Sequence, residues 1–192
     1  KVETIHQEGT NQVMWIQSPF SEALQADQSL SHDGVCLTVE AVRGSSYRVT
    51  AVQETLSKTS LGALEQGSLV NLERSLTLGS YVDGHLVQGH VDNIATCVDR
   101  QEEDGSWLYQ FRFDEDFGHL LVEKGSISIN GISLTAFNVG EQHFTVTIIP
   151  YTYEHTNLHT VVPGTSVNLE FDLFGKYVQK QLASYQERLQ SS

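Results

Sequence analysis

The sequence predicts an all-β fold built twice in tandem and followed by one α-helix. Three observations carry this reading: a long internal repeat, strand-period alternation within each copy, and a switch to helical period after Phe174. Sliding the chain against itself by 97 residues aligns SLSHDGVCLTVEAVRGSSYRVTAVQETLSKTSLGALEQGSLVNLE, from Ser29, with SISINGISLTAFNVGEQHFTVTIIPYTYEHTNLHTVVPGTSVNLE, from Ser126, without a gap. Gly34/Gly131, Leu37/Leu134, Thr38/Thr135, Thr55/Thr152 and the whole of Val70–Glu73 against Val167–Glu170 are identical. A register kept over roughly forty residues marks the duplication of one unit, not a longer repeat array.

Within each unit, segments such as Tyr109 to Phe113, Ser126 to Ile129 and Phe144 to Ile148 alternate apolar and polar residues, the period of a strand with one buried face. Turn signals fall between them at Asp33-Gly34, Arg43 to Ser46, Glu102 to Ser106 and Asn130-Gly131. This spacing suits a small barrel or a sandwich, and alternation does not choose between them. Beyond Phe174-Gly175, the residues Phe174, Val178, Leu182, Tyr185 and Leu189 form one helical stripe. Such a helix either packs on its own barrel, the commoner fate, or meets copies of itself.

The 192 residues carry 11 Lys+Arg against 24 Asp+Glu, a formal net charge of −13. Counterion release from a polyanion requires clustered cations, and an anionic membrane surface repels such a chain, so nucleic-acid and membrane roles are excluded as expectations. At 39% hydrophobic and 18% charged the composition is that of a folded chain. Cys36 and Cys97 give no disulfide framework, which points to a reducing compartment and a cytoplasmic location. No run approaches the roughly twenty apolar residues of a membrane span, and no signal segment opens the chain. The chain starts at Lys1, inside what reads as a strand, and the repeat period places about ten further residues ahead of it.

Chemistry concentrates on a duplicated turn and strand, Asp33-Gly34-Val35-Cys36-Leu37-Thr38 and Asn130-Gly131-Ile132-Ser133-Leu134-Thr135. Alternation puts Cys36 with Thr38, and Ser133 with Thr135, on one face, with Leu37 and Leu134 on the other. Taken alone, the motif equally fits a solvated strand face with Cys36 an inert buried thiol. In Gly84 to Asp92, His85 and His90 are five apart, opposite faces of a strand, so they do not form a metal pair. Either imidazole could shuttle protons, although a lone strand histidine is more often structural. No HExxH, CxxC, phosphate loop or GxSxG occurs.

GVCLT and GISLT, GHLVQGHVD, the VNLE closing each repeat, and IPYTYEHTNL together resemble the riboflavin synthase family, over essentially the whole chain and in the same order. The resemblance implies a tandem pair of six-stranded antiparallel Greek-key β-barrels at residues 1–84 and 85–173, with a C-terminal helix at 174–192 that holds a homotrimer together. It implies a transferase reaction in which two molecules of 6,7-dimethyl-8-ribityllumazine exchange a four-carbon unit, giving riboflavin and 5-amino-6-ribitylaminouracil, without metal or cofactor. In the family the reacting pair lies between the first barrel of one subunit and the second barrel of its neighbour.

Carried over by motif, the first pocket comprises Cys36, Leu37 and Thr38 with Thr50, Ala51, Val52, Gln53, Glu54 and Thr55. The second comprises Ser133, Leu134 and Thr135 with Thr147, Ile148, Ile149, Pro150, Tyr151 and Thr152, completed by Lys124 and a strand holding His90, Val91 and Asp92. The resemblance assigns His90 and Thr135 to proton transfer at the acidic C7 methyl, and Cys36, Ser29 and Ser133 to donor or transient-nucleophile roles at C7. The family's opening Met-Phe-Thr-Gly-Ile-Val, matched by Val87 to Val91 in the second copy, has no first-copy counterpart here, and Asn130 stands where many members have Asp, a change the turn tolerates. The alternative is a lumazine- or flavin-binding protein of the same fold that does no chemistry. The presence of Cys36, His90, Ser133 and Thr135 favours the enzyme.

Overall fold

In the computed structural model, which describes residues 1–113 and 117–190, the alternating segments become strands with one buried face. The first half runs β1 (Val2–Glu8), β2 (Asn11–Gln17), β3 (Ser29–His32), β4 (Val35–Thr38), β5 (Ala41–Arg43), β6 (Ser46–Ala51), helix α1 (Gln53–Lys58) and β7 (Leu72–Arg74). The second runs β8 (Asn93–Glu103), β9 (Ser106–Arg112), β10 (Ser126–Ile129), β11 (Ile132–Phe137), β12 (His143–Ile148), helix α2 (Pro150–His155) and β13 (Ser166–Phe171), and helix α3 (Leu173–Gln190) follows. In the second half Tyr109 and Phe111 from β9, Phe144, Val146 and Ile148 from β12, and Val167 and Leu169 from β13 are wholly buried. Alternate residues of β9 and β12 thus point into the core of the second half.

The second half is a closed barrel in the order β10-β11-β12-β9-β8-β13, which settles the choice between barrel and sandwich. The first half has the same order in two sheets, β1-β2-β6-β5 and β4-β3-β7. Two local differences account for this departure from a second closed barrel. The strand matching β11 is broken into β4 and β5 around Val39 and Glu40, although Glu40 N still donates to Arg48 O at 2.9 Å. At the other seam, Asn93 to Thr96 of β8 pair with Leu169 to Ser166 of β13. The corresponding seam of the first half rests on Val2, whose N donates to Ser68 O and whose O accepts from Gly67 N.

The two halves meet about a local pseudo-two-fold axis. Cβ atoms built on Gly34 and Gly131 would lie 2.7 Å and 2.9 Å from the other glycine's backbone nitrogen, so the two turns touch backbone to backbone. Both glycines have φ near +80°, a conformation that also favours glycine. Matched asparagines flank the contact. Asn71 Nδ2 donates to Asn130 O at 3.1 Å and Asn168 Nδ2 to Asp33 O at 2.9 Å, while Asn157 N donates to Asn71 Oδ1 and Ser60 N to Asn168 Oδ1, both at 2.7 Å. The asparagine of each VNLE is therefore a clasp between the halves.

Helix α3 is anchored at its start by the ion pair of Lys176 with Asp92. Its stripe, Phe174, Val178, Leu182, Tyr185 and Leu189, is 53–72% exposed, so it does not cover its own barrel. No helix among the described residues is long and apolar enough to cross a membrane.

Candidate functional site

The turns Asp33-Gly34 and Asn130-Gly131 aim β4 and β11 so that Leu37 is buried in the first core and Leu134 packs against the second. Ser133 and Thr135 consequently face outward from the barrel. There, with Lys124, Leu134, Phe137, Thr147, Ile149 and Thr152, they line a cavity of about 450 Å³. Four hydroxyl groups beside apolar side chains form a surface that can hold a flat heterocycle by its faces and a polyol by hydrogen bonds. A second, larger cleft of about 1130 Å³ runs between the halves and is lined by Ser29, Ser31 and Cys36 of the first repeat, by Gly84, His85 and Gly89, and by Ser133 of the second. Ser133 lies on both cavities.

Between the two repeats, residues 75–92 form no strand, which corrects the expectation that His90, Val91 and Asp92 continue one. The segment instead bends at Gly84 and Gly89, with φ of +87° and +80°. It lies as a strap over both duplicated motifs. A Cβ on Gly84 would come within 2.3 Å of Ser133 Oγ, and one on Gly89 within 2.8 Å of Cys36 Cβ. Gly89 O accepts from Cys36 N at 2.8 Å. Buried Glu170 holds the strap down, accepting from the backbone N–H groups of Gln88, Gly89 and His90 at 2.7–2.9 Å. The glutamate of the second VNLE is therefore what orders the strap.

The strap places His85 Nδ1 2.7 Å from Ser133 Oγ. Its Nε2 is buried and has no hydrogen-bond partner among the described residues. Burial lowers the His85 pKa, against the raising influence of Asp172 and Glu170, which favours the neutral imidazole. A neutral imidazole beside a hydroxyl is the arrangement that activates a serine or passes its proton on. Sequence reasoning did not single out His85 for this role. The signal was the doubled Gly-His at Gly84-His85 and Gly89-His90, since each glycine marks a close approach of backbone to a repeat motif.

The other expected residues divide. Ala51 and Ile148 are wholly buried in the cores, pointing away from the outer faces. Thr38, Thr50, Val52, Gln53, Glu54 and Thr55 form an open outer face of the first half and line neither cavity. Pro150 opens helix α2, and exposed Tyr151 stacks on His155 at 4.1 Å between ring centroids. His90 is exposed and lines neither cavity, so within one chain it is not brought to Thr135. Val91 packs against the first core. Asp92 accepts from Phe171 N at 2.9 Å and pairs with Lys176, a structural position. Among the described residues no cluster of three or more His, Cys, Asp or Glu is arranged to hold a metal ion.

Comparison with known proteins places these features. The lumazine binding domain model matches residues 1–75 and again 88–172. The chain is 35% identical to riboflavin synthase of Actinobacillus pleuropneumoniae over 183 residues, 95% of this chain and 85% of that one. It is 38% identical to riboflavin synthase of Meyerozyma guilliermondii, covering 91% of this chain and 75% of the other. With riboflavin synthase of Mycobacterium tuberculosis the identity is 40%, over 81% of this chain and 80% of the other. Among solved structures, LumP complexed with 6,7-dimethyl-8-(1'-D-ribityl) lumazine superposes with a TM-score of 0.79 at 23% identity, covering 88% of this chain and 92% of that one. LumP complexed with riboflavin gives 0.82 at the same identity, covering 88% and 93%. That likeness concerns the fold.

Proposed function

This chain belongs to the riboflavin synthase family, and we propose that it runs the family's dismutation of 6,7-dimethyl-8-ribityllumazine with the residues gathered under the strap. The observation that supports the assignment most directly is the Ser133–His85 pair, held on the wall that the two cavities share. One lumazine lies against Lys124, Ser133, Thr135, Thr147 and Thr152, with ring edges on backbone groups and ribityl hydroxyls on the side-chain oxygens. His85 Nδ1 takes the Ser133 hydroxyl proton, either as Ser133 draws one from the C7 methyl or as Ser133 Oγ adds to C7, the displaced π pair then spreading over the ring until the adduct breaks and the proton returns. Holding donor and acceptor together supplies effective molarity worth ~7 to 11 kcal/mol.

The first-half face around Thr38, Thr50 and Thr55 is open in one chain. We assign its cover to the second barrel of a neighbouring copy, within a homotrimer joined through the exposed stripe of α3. Cys36 and Ser29, on the wall of the larger cleft, then face the shared space, and so does exposed His90. The domains in this reading are residues 1–84, 85–173 and 174–192.

Incubation with the lumazine tests the assignment. Growth of riboflavin absorbance is the expected outcome, whereas tight binding without product over hours would move the chain to the non-catalytic reading. Replacing Ser133 by Ala, or His85 by Gln, is expected to lower kcat about a hundredfold with little change in lumazine affinity. Wild-type turnover in both variants would remove the pair from the mechanism.

A further inference from the structure

The two duplicated sites differ in charge at several matched positions, of which two lie on the wall of the second-repeat cavity. In the second repeat these are Lys124 and Phe137, and the shift of 97 puts Asp27 and Glu40 in their places. The backbones correspond closely. Lys124 N donates to Ala136 O and Asp27 N to Val39 O, each at 2.9 Å, and the two residues share a positive φ, 65° and 70°. The difference therefore lies in the side chains, on a common frame.

Around Lys124 the surroundings are uncharged. Its ammonium lies 4.8 Å from the centroid of the Phe137 ring, on the wall of the second-repeat cavity. Neighbouring Glu123 is turned away to accept from Val139 N at 3.2 Å. Strand β12, the N-cap of helix α2 and the helix itself contribute Thr147, Ile149 and Thr152 to the cavity. His155 is taken up by the Tyr151 ring and carbonyl, and Glu154 lines the larger cleft. Among the described residues no carboxylate pairs with Lys124. In the first repeat Glu40 pairs with Arg48 at 3.2 Å, Arg48 also reaches Glu8 at 3.4 Å, and Glu54, matching Tyr151, pairs with Lys58 at 3.0 Å. Among the described residues no cation pairs with Asp27. One site therefore presents a free cation and the other a free carboxylate.

We propose that the two sites sort the substrate by charge: the second-repeat site holds the lumazine that has lost a proton from its C7 methyl, and the first-repeat site holds the neutral lumazine. This rests on the riboflavin synthase reading above. In the ionisation a methyl C–H bond breaks, the proton passes to a base, and the electron pair spreads over the ring and its carbonyl oxygens, with no oxidant or reductant involved. A cation nearby favours the anionic form and a carboxylate disfavours it. The arrangement gives each ring one role: the anion on Lys124 supplies the nucleophilic carbon, and the neutral ring by Asp27 remains electrophilic at C7. Lys124 is thus a specificity-determining residue for protonation state.

The test is a spectrophotometric pH titration of lumazine bound to the intact protein, run beside steady-state kinetics, for wild type and for Lys124→Met, Lys124→Arg and Asp27→Lys. Lys124→Met should lower the fraction of bound anion at a given pH about tenfold and lower kcat with it, leaving KM within about twofold. Arginine at 124 should restore most of both, and Asp27→Lys should raise the bound-anion fraction while slowing turnover. Riboflavin formation with an anion fraction that does not change in Lys124→Met overturns this inference alone. A wild-type protein that neither binds lumazine nor makes riboflavin overturns the functional assignment and this inference with it.

Discussion

Two neighbouring residues at the inner end of β3 give this protein opposing responses to pH. His32 is buried, with Nδ1 2.9 Å from Leu30 O and Nε2 2.8 Å from the Tyr47 hydroxyl, and burial brings its pKa down to about 4 from 6.5. Its contribution to stability is complete above pH 6.5 and is lost as pH falls toward 4, where the unfolded chain binds the proton more readily. Asp33 accepts from Asn71 N and Asn157 Nδ2, each at 2.8 Å, yet burial pushes its carboxyl up to about 7 from 3.8. Its contribution has the other sign, complete below pH 3.8 and lost as pH rises through 7. The second repeat shows how each can be removed, because it has Ile129, Asn130 and Phe144 at the positions of His32, Asp33 and Tyr47. Asp33→Asn should therefore gain on the order of 2 kcal/mol near pH 8 and nothing at pH 3.5, measured by urea unfolding. The double change His32→Ile with Tyr47→Phe should flatten the acid limb between pH 6.5 and 4, and an unaltered limb would assign the acid sensitivity to other groups.

At the scale of elements, strands and the last helix were legible because each has one clear period. Tyr109 to Phe113 and Phe144 to Ile148 alternate, and Phe174 to Leu189 recurs at helical spacing, so inward and outward faces followed directly. The outward placement of Ser133 and Thr135 followed from the same rule. The strap had no such signal. Gly84 to Asp92 alternates weakly, and its conformation is set by contacts with Ser133, Cys36 and Glu170, which are distant in sequence and invisible to periodicity. For the same reason His85 was indistinguishable from His90 until the fold brought one of them to a serine. Each strap glycine leaves space for another residue, so Gly84→Ala and Gly89→Ala should each lower turnover at least tenfold while changing the midpoint of unfolding little, measured by kinetics and thermal melts. Equal loss of stability and activity would make the strap a folding element only. Helix α3 makes a separate prediction: if its exposed stripe joins the proposed trimer, Val178→Asp with Leu182→Asp should leave the barrels folded and reduce the mass by light scattering to that of a monomer. A trimer that survives would move the subunit contact to another surface.

Considered as a whole molecule, the chain is one unit met by its own copy. The contact between the halves is isologous in kind, with Gly34 facing Gly131 and Asn71 answered by Asn168. The copies differ in the cores, as at His32 and Ile129, and on the outer faces, where Lys124 stands against Asp27, Phe137 against Glu40, and Ser133 against Cys36. At the glycine contact a change in one copy meets the other copy's backbone, so neither turn is free to drift alone. At Lys124 and Asp27, and at Phe137 and Glu40, no such contact joins the matched positions among the described residues, and each is open to separate selection. The Gly34–Gly131 contact thus divides the duplicated sequence into a part that can vary only as a pair and a part that can specialise, and only the second could have produced two unlike pockets from one ancestral barrel.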